Sequence, residues 1–135
     1  MIFAWANGDA AGAADFCKWV EDVLVDVINM TKEKMEKYYD EHVTDTMCRN
    51  ELYKKYYMDT IIEDTSAVAG LELIRRIVGM ANVKDITTIA DEAKRARAEK
   101  ICITAAIDFI KNRSDKKCGK CFLKTLKDAI AEVDA

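Results

Sequence analysis

The chain has 135 residues, of which half are hydrophobic and a third are charged, with a formal net charge of −3. This length suits a single domain, and the small negative charge argues against a protein drawn to nucleic acid or to an anionic membrane. The sequence contains no proline, where average usage would give about seven. Absence of the strongest helix breaker predicts an all-helical chain.

The N-terminal residues Met1 to Ala6 are apolar, but they carry no basic segment and pass directly into Asn7-Gly8-Asp9. A stretch this short indicates neither a secretory signal nor a membrane span. The chain has five cysteines, an odd number, and most of them lie within helical apolar patterns. Such thiols are typical of a reduced, cytosolic protein. We therefore expect a cytoplasmic protein without a disulfide framework.

Apolar residues spaced by three and four predict one long amphipathic helix from Ala13 to about Tyr39. The residues expected on its buried face are Phe16, Trp19, Val20, Val23, Val27, Met30, Met35 and Tyr38. A polar break from Asp40 to Thr46 follows it. A second helix is predicted from about Cys48 to Glu63. Its expected inner residues are Leu52, Tyr56 and Ile61 or Ile62.

Three further helices are predicted in the second half of the chain. One runs from Ser66 to Ala81, and because it is apolar on most sides we expect it at the centre of the bundle. After a connector from Asn82 to Thr88, in which Thr88 can act as the N-cap, the next helix reaches Asn112. Its expected buried residues are Ala98, Ile101, Cys102, Ala105, Phe109 and Ile110. A last helix reaches Val133, with Phe122, Leu126, Ala129 or Ile130, and Val133 on its inner face.

An adjacent arginine pair, Arg75 and Arg76, lies within the otherwise apolar helical segment Glu72 to Val78 (E-L-I-R-R-I-V). Adjacent residues on a helix diverge by about 100°, so at most one of the pair can point squarely into a core. One interpretation places both at the border of a buried face, paired with Glu72 three and four residues earlier. The other makes them a fork that binds substrate hydroxyls or phosphate, because desolvated guanidiniums need such partners.

The block that surrounds the arginine pair, from Asp64 to Ile86, reads D-T-S-A-V-A-G-L-E-L-I-R-R-I-V-G-M-A-N-V-K-D-I. It resembles the C-terminal helical region of the 5-methylthioribose kinases, which belong to the protein-kinase-like sugar and aminoglycoside kinase superfamily. The shared motif is I-R-R-x-x-G-x-A-x-V, with A-G ending five residues before the first arginine. The resemblance is strongest from Asp64 to Lys111, including R-A-R-A-E at 95–99, and is weaker but collinear over Phe3 to Glu63 and in the tail.

This resemblance implies a fold and a function. The family fold is bilobal, and its reaction transfers the γ-phosphate of ATP to the anomeric hydroxyl of 5-methylthioribose in methionine salvage. The paired arginines of the motif help to hold the sugar, so the resemblance assigns substrate binding to Arg75 and Arg76. We accordingly expect residues 1–135 to form one all-α domain of about five helices, corresponding to the helical subdomain of the kinase C-lobe.

The resemblance does not extend to the phosphate-handling parts of the kinase. Phosphoryl transfer in this superfamily needs a nucleotide-covering loop, a strand lysine, a catalytic-loop aspartate and an acidic metal-binding segment. The chain has no G-x-G-x-x-G-like loop, no H-G-D or H-R-D triplet, and no D-P-E or D-F-G triplet. We therefore expect it to correspond to the C-terminal third of such a kinase, with no catalytic residue and no cofactor of its own. ATP and Mg²⁺ would belong to an upstream portion.

The alternative function is a free-standing helical module for dimerisation or interaction. Loss of a catalytic lobe would expose apolar surface, with Ile2, Phe3, Trp5, Ile74 and Val78 as the candidates. Soluble proteins rarely leave such patches in water, and two-fold self-association is the simplest way to cover them. This line of argument predicts a homodimer whose contact includes residues 1–6, with Trp5 as its anchor.

A C-x-x-C motif, Cys118-Gly119-Lys120-Cys121, opens the last helix among lysines that can lower a thiol pKa. Structural zinc would need a second ligand pair, for which His42 and Cys48 are the only candidates. We favour two semi-buried thiols and no stoichiometric zinc over a redox or zinc site. His42 itself is expected at the surface.

Two charged segments remain, and both are interpreted as solvated surface. The acidic residues Asp59, Glu63 and Asp64 could be paired carboxylates for acid–base chemistry, but a solvated face with a helix cap is favoured. The basic segment from Lys111 to Lys127 could contact phosphates. Because only Phe122 among its residues is aromatic, a solvated outer face is favoured here too.

Overall fold

Six α-helices and one short 3₁₀ helix make up the structure, a computed structural model that describes all residues from Met1 to Ala135. The α-helices are α1 (Ile2–Ala10), α2 (Ala14–His42), α3 (Glu51–Ile77), α4 (Lys84–Thr87), α5 (Glu92–Lys111) and α6 (Gly119–Asp134), and the 3₁₀ helix is Arg113–Asp115. The predicted all-α class is thereby confirmed. No helix combines the length and the apolar character needed to cross a membrane.

Helix α5 lies at the centre of the bundle, in contact with α1, α3, α4 and α6. Five of its residues are completely buried: Ile101, Cys102, Ala105, Ala106 and Phe109. Small residues let α3 approach α5 closely, since a Cβ atom at Gly70 would lie 2.7 Å from the carbonyl oxygen of Ala106. The predicted central position of the 66–81 helix is therefore wrong, and in that segment Val68 and Leu71 face solvent.

Helix α3 is continuous where the sequence predicted two helices separated near Glu63 and Ser66. Asp64 and Thr65 at the expected break face solvent, and the hydroxyl of Thr65 donates to the carbonyl of Ile61, 2.8 Å away, within the same helix. This side-chain bond is compatible with an uninterrupted helix. The start moves from Cys48 to Glu51 because the Asn50 side chain caps the backbone N–H groups of residues 52 and 53.

Helix α2 has its buried face rotated from the predicted one. Its buried residues are Cys17, Val20, Glu21, Leu24, Ile28 and Tyr39, so of the predicted set only Val20 is buried. Five members of that set are exposed: Phe16, Trp19, Val27, Met30 and Tyr38. The reason is Glu21, an inward-facing acidic residue whose carboxylate accepts hydrogen bonds from the Trp5 indole and from Lys127.

The N-terminal segment is part of the core. Trp5 is only 4% exposed, Ile2 and Ala6 are also buried, and the Trp5 Nε1 atom lies 3.0 Å from a Glu21 carboxylate oxygen. Trp5 is therefore wrong as the anchor of a dimer contact, because its side chain already packs within one chain, and the homodimer itself stays a prediction. Of the apolar residues expected on an uncovered face, only Val78 is exposed, at 71%.

The C-terminal half follows the predicted pattern closely. Helix α5 buries every residue expected except Ile110, which is half-buried, and α6 buries Phe122, Leu126 and Ala129. The boundary before α5 differs from the prediction. Its N-cap is Asp91, whose side chain accepts the backbone N–H groups of residues 93 and 94. Thr88 instead closes the short helix α4 by donating to the carbonyl of Lys84.

Asp108 links α5 to the segment that enters α6. Its carboxylate lies 2.6 Å from Lys116 Nζ, from Thr125 Oγ1 and from Asn112 Nδ2. Partial burial raises the pKa of Asp108, but the hydrogen bonds from Lys116, Thr125 and Asn112 outweigh it and lower the pKa from 3.8 to about 2. A carboxylate with a depressed pKa stabilises the fold above its unfolded pKa, and that stabilisation fades as the pH falls toward its folded pKa.

We expect Asp108→Asn to be less stable than the parent by a constant amount above about pH 5, where the carboxylate is ionised in both states. Between about pH 4 and pH 2 the difference should shrink as the parent binds its proton. Urea unfolding across this range measures the effect. Asp128→Asn, which alters an exposed ion pair with Lys124 on α6, should change the profile little. A pH-independent difference for Asp108→Asn would contradict the assignment.

Candidate functional site

The arginine pair lies in the last turn of α3, where cations complement the helix dipole. Glu72, one turn earlier, binds both side chains. Arg75 contacts the two carboxylate oxygens through Nε (2.8 Å) and Nη2 (2.9 Å), in the two-pronged geometry typical of arginine. Arg76 donates through Nε at 2.7 Å, and its Nη1 lies 3.5 Å from the carbonyl oxygen of Ala81.

These residues form an exposed cluster, which we call the arginine cluster (Glu72, Arg75 and Arg76). The exposed fractions of the side chains are 42% for Glu72, 55% for Arg75 and 36% for Arg76. The predicted pairing with Glu72 is confirmed, whereas the expectation of desolvated guanidiniums is wrong. Hydrogen bonds from Arg75 and then Arg76 lower the pKa of Glu72 to about 2, so its carboxylate stays ionised at neutral pH.

The arginine cluster is suited to bind an oxygen-rich ligand on one side. Its net charge is +1, because one carboxylate faces two guanidiniums. The Nη2 group of Arg76 has no protein partner and can donate to a hydroxyl or phosphate oxygen. The side chains of the arginine cluster lie open to solvent, so the cluster is a surface feature rather than an enclosed pocket.

A second candidate site, the tyrosine cleft, lies between the end of α2 and the start of α3. It has a volume of about 620 Å³ and is lined by Lys34, Met35, Tyr38, Tyr39, Val43, Cys48, Tyr53, Tyr57 and Met58. The Tyr39 hydroxyl donates to the carbonyl of Cys48 at 2.7 Å, which ties α2 to the loop. A largely apolar cleft of this size with a few hydroxyl groups is typical of small-molecule sites.

Sequence reasoning missed the tyrosine cleft. Tyr38 was assigned to the buried face of its helix, and Tyr53 and Tyr57 carried no prediction. The available signal was the density of aromatic residues on both sides of the predicted polar break. Only the return of α3 along α2, with the rings of Tyr39 and Tyr57 5.7 Å apart, brings the two sets together.

The other predicted candidates lie on the surface or in ion pairs. His42 is exposed and stacks on Tyr38 with ring centroids 3.9 Å apart, as a surface histidine would. In the acidic set, Asp59 pairs with Lys55 at 2.8 Å, Glu63 with Lys117, and Asp64 with Arg113 at 3.9 Å. Each carboxylate therefore has its own cation, so the three do not form an acid–base pair.

The basic segment from Lys111 to Lys127 is mostly an outer face, as predicted, with one exception. Lys116 is buried and neutralised by Asp108. Lys124 and Lys127 pair with Asp128 and Glu21 respectively. The segment is thus held in ion pairs within the chain rather than presented as a continuous cationic surface.

The structure brings together no set of side chains of the kind that structural zinc needs. No three or more His, Cys, Asp or Glu side chains are grouped so that they could hold a metal ion. Cys118 and Cys121 lie together, with their sulfur atoms 3.1 Å apart, but the candidate ligands His42 and Cys48 do not join them. The candidate zinc site therefore lacks its second ligand pair.

The amino-acid sequence is similar to those of several known proteins. No protein-family model matches the chain. Methylthioribose kinase 1 of Oryza sativa subsp. japonica is 27% identical over 124 residues, which cover 79% of this chain and 28% of the relative. The methylthioribose kinase of Bacillus pumilus (strain SAFR-032) is 29% identical over 67% of this chain and 23% of its own length.

A shorter match is closer in sequence. The methylthioribose kinase of Bacillus cereus (strain ATCC 10987 / NRS 248) is 39% identical over 57 residues, which cover 42% of this chain and 14% of the relative. The chain thus spans about a quarter of the length of the curated relatives that match most of it. Over most of its length the chain is similar to methylthioribose kinases, as the motif around Arg75 and Arg76 predicted.

Proposed function

We propose that this chain is the helical, sugar-pocket-forming portion of a methylthioribose-kinase-like protein of methionine salvage. The observation that carries the proposal is the similarity to several methylthioribose kinases over 67–79% of the chain, together with the arginine motif. In this proposal ATP, Mg²⁺ and the catalytic base act in another portion of the protein, which is supported by the lack of the kinase phosphate-loop and catalytic-loop motifs in this sequence. The reduced thiols favour a cytoplasmic location.

In this proposal Arg75 and Arg76 hold the sugar. Glu72 restrains both guanidiniums, which reduces the side-chain entropy that binding would otherwise cost. The unpartnered Nη2 group of Arg76 donates to a ring hydroxyl, and the net positive charge of the arginine cluster favours the phosphorylated product as well. A partner surface must close the other side of the pocket, since the cluster is open to solvent.

A chimera tests this role. The matching segment of the Oryza sativa methylthioribose kinase 1 is replaced by this chain, and methylthioribose phosphorylation is measured. Arg75→Ala and Arg76→Ala should each raise the KM for methylthioribose about 10- to 100-fold with a smaller change in kcat, as expected for loss of a charged hydrogen bond of about 1.5–3 kcal/mol. Arg113→Ala, which removes an exposed guanidinium paired with Asp64, is the control. Unchanged KM values in an active chimera would refute the assignment.

The isolated chain should neither bind MgATP nor phosphorylate methylthioribose. The physical reason is the lack of a phosphate-covering loop and of a metal-binding carboxylate group. Titration calorimetry with MgATP and mass spectrometry of the sugar after incubation measure the two activities. ATP-dependent sugar phosphate made by the purified chain would contradict the proposed division of labour.

A second candidate function, a free-standing interaction module, has one observation in its favour. Apolar side chains are exposed at the turn between α2 and α3, including Met47 (81% exposed), Leu52 (80%) and Tyr56 (68%). Sedimentation equilibrium distinguishes the candidates. Self-association that is lost in Leu52→Glu would favour the module, and a monomer would favour the kinase-like portion.

A further inference from the structure

Two thiols meet at the start of α6, where the proposed function uses neither. Cys118 is the N-cap residue of this 16-residue helix, and Cys121 lies in its first turn. Their Sγ atoms are 3.1 Å apart, both residues are free thiols, and both are half-buried, so one edge of the pair is open to solvent. The other three cysteines have no such partner. We call Cys118 and Cys121 the thiol pair.

The surroundings of the thiol pair favour a reactive Cys121. Burial raises the pKa of its thiol, but hydrogen bonds from the Cys118 thiol and from the backbone N–H groups of residues 117 and 118 outweigh it, and with the charge of Lys116 they lower the pKa overall. Helix dipoles also favour a thiolate at this end.

The two buried thiols have the opposite character. Burial raises the pKa of Cys102 to about 12 and also raises that of Cys17. Cys48 is half-buried in the loop after α2, and its thiol is not paired with another cysteine. Because the thiolate is the nucleophile in exchange with disulfides, Cys121 is the thiol of this chain best placed to react first.

We propose that the thiol pair is an oxidation site, which a small-molecule disulfide of the glutathione class converts into an intramolecular disulfide. The Cys121 thiolate attacks one sulfur of the small disulfide, forms a mixed disulfide and releases one small thiolate. The Cys118 sulfur, after losing its proton to solvent, then attacks Cys121 Sγ and releases the second small thiolate. The protein dithiol loses two electrons and two protons, and the small disulfide gains both to become two thiols.

The backbone around the thiol pair allows this bond without rearrangement of the helix. The sulfur atoms need to approach by about 1 Å to reach disulfide bonding distance. Cys118 is the N-cap and has extended backbone angles (φ −157°, ψ 167°), so its side chain is not held to the spacing of residues inside a helix. The backbone is also held in place, since Gly119 N–H donates to Asn29 Oδ1 at 2.9 Å and a Cβ atom at Gly119 would lie 2.3 Å from the carbonyl oxygen of Val25.

The test uses the full, folded chain and oxidised glutathione as the probe. After incubation at neutral pH, remaining thiols are alkylated and the protein is cleaved before aspartate. The resulting peptide 115–127 contains Cys118 and Cys121 and no other cysteine. We expect this peptide to be lighter than its reduced form by two hydrogen atoms, with no label on either sulfur. Two alkylated or two glutathione-bearing cysteines in this peptide at equilibrium would overturn the proposal.

Variants separate the two steps. Cys118→Ser should stop the reaction at a stable mixed disulfide on Cys121. The control is Cys48→Ser, which removes an unpaired, half-buried thiol and should leave the intramolecular disulfide unchanged. In the parent chain, limiting iodoacetamide should label Cys121 faster than Cys48, because a lowered pKa increases the thiolate fraction by more than it reduces the nucleophilicity of the sulfur. Equal labelling would overturn the assigned order of attack.

Discussion

Replacing Trp5 by alanine is expected to lower the free energy of unfolding by about 3–5 kcal/mol, the range for a buried aromatic side chain. Trp5 lies on α1 and is 4% exposed, and its indole N–H donates to the Glu21 carboxylate of α2 at 3.0 Å. Its removal leaves a cavity and takes one of two hydrogen-bond donors from a buried carboxylate, whose other donor is Lys127. Urea unfolding followed by circular dichroism measures the change.

The second tryptophan provides a matched control. Trp19 is 59% exposed on α2, so Trp19→Ala should change the unfolding free energy by less than about 1 kcal/mol, as is usual for surface substitutions. Trp5→Phe should fall between the two, since it keeps most of the buried ring area and loses the indole N–H. A Trp5→Ala protein of unchanged stability but altered sedimentation would restore the interpretation of Trp5 as an intermolecular anchor.

Phe109→Ala is expected to have an effect of similar size, about 3–5 kcal/mol. Phe109 is fully buried near the C-terminal end of α5, and its ring centroid lies 5.3 Å from that of Phe122 on α6. Its backbone carbonyl accepts the hydroxyl of Ser66 on α3 at 2.9 Å. The residue therefore lies where three helices meet, and the surrounding side chains have little freedom to fill the space. Chemical unfolding again measures the difference.

Phe16, which is 42% exposed, supplies the control for this position. Phe16→Ala should cost far less than Phe109→Ala, and Phe109→Leu should recover much of the loss because it restores most of the apolar volume. If both alanine variants lost the same stability, the junction of α3, α5 and α6 would not be the centre of the core.

The elements that the sequence predicted well share one property. In α5 and α6 the buried positions are occupied by apolar or small residues alone, apart from Thr125, so the helical period is visible in the residue types. In α2 the apolar spacing predicted the wrong buried face. The inner face includes Glu21, and exposed aromatic residues form a more apolar stripe on the other side of the helix. The Glu21 carboxylate is stabilised there by Trp5 of α1 and Lys127 of α6, and these contacts between distant segments cannot be read from the spacing of residues within α2.

The candidate sites divide in the same way. The arginine cluster is contained within five consecutive residues, so its internal pairing followed from helix spacing alone. The tyrosine cleft combines side chains from two helices and a loop, and its existence depends on how far α3 runs back along α2. The uninterrupted length of α3 was the feature that sequence periodicity did not reveal, since the polar residues near Asp64 read as a boundary.

That uninterrupted helix also sets a distance. Tyr53 and Arg76 lie near opposite ends of α3, and at a rise of about 1.5 Å per residue they are separated by about 35 Å along the axis. A sugar-sized molecule can therefore occupy the arginine cluster or the tyrosine cleft but can never bridge them. A binding partner that touches both must be as wide as a small folded domain, and because α3 has no break to act as a hinge, such a partner must match a fixed spacing.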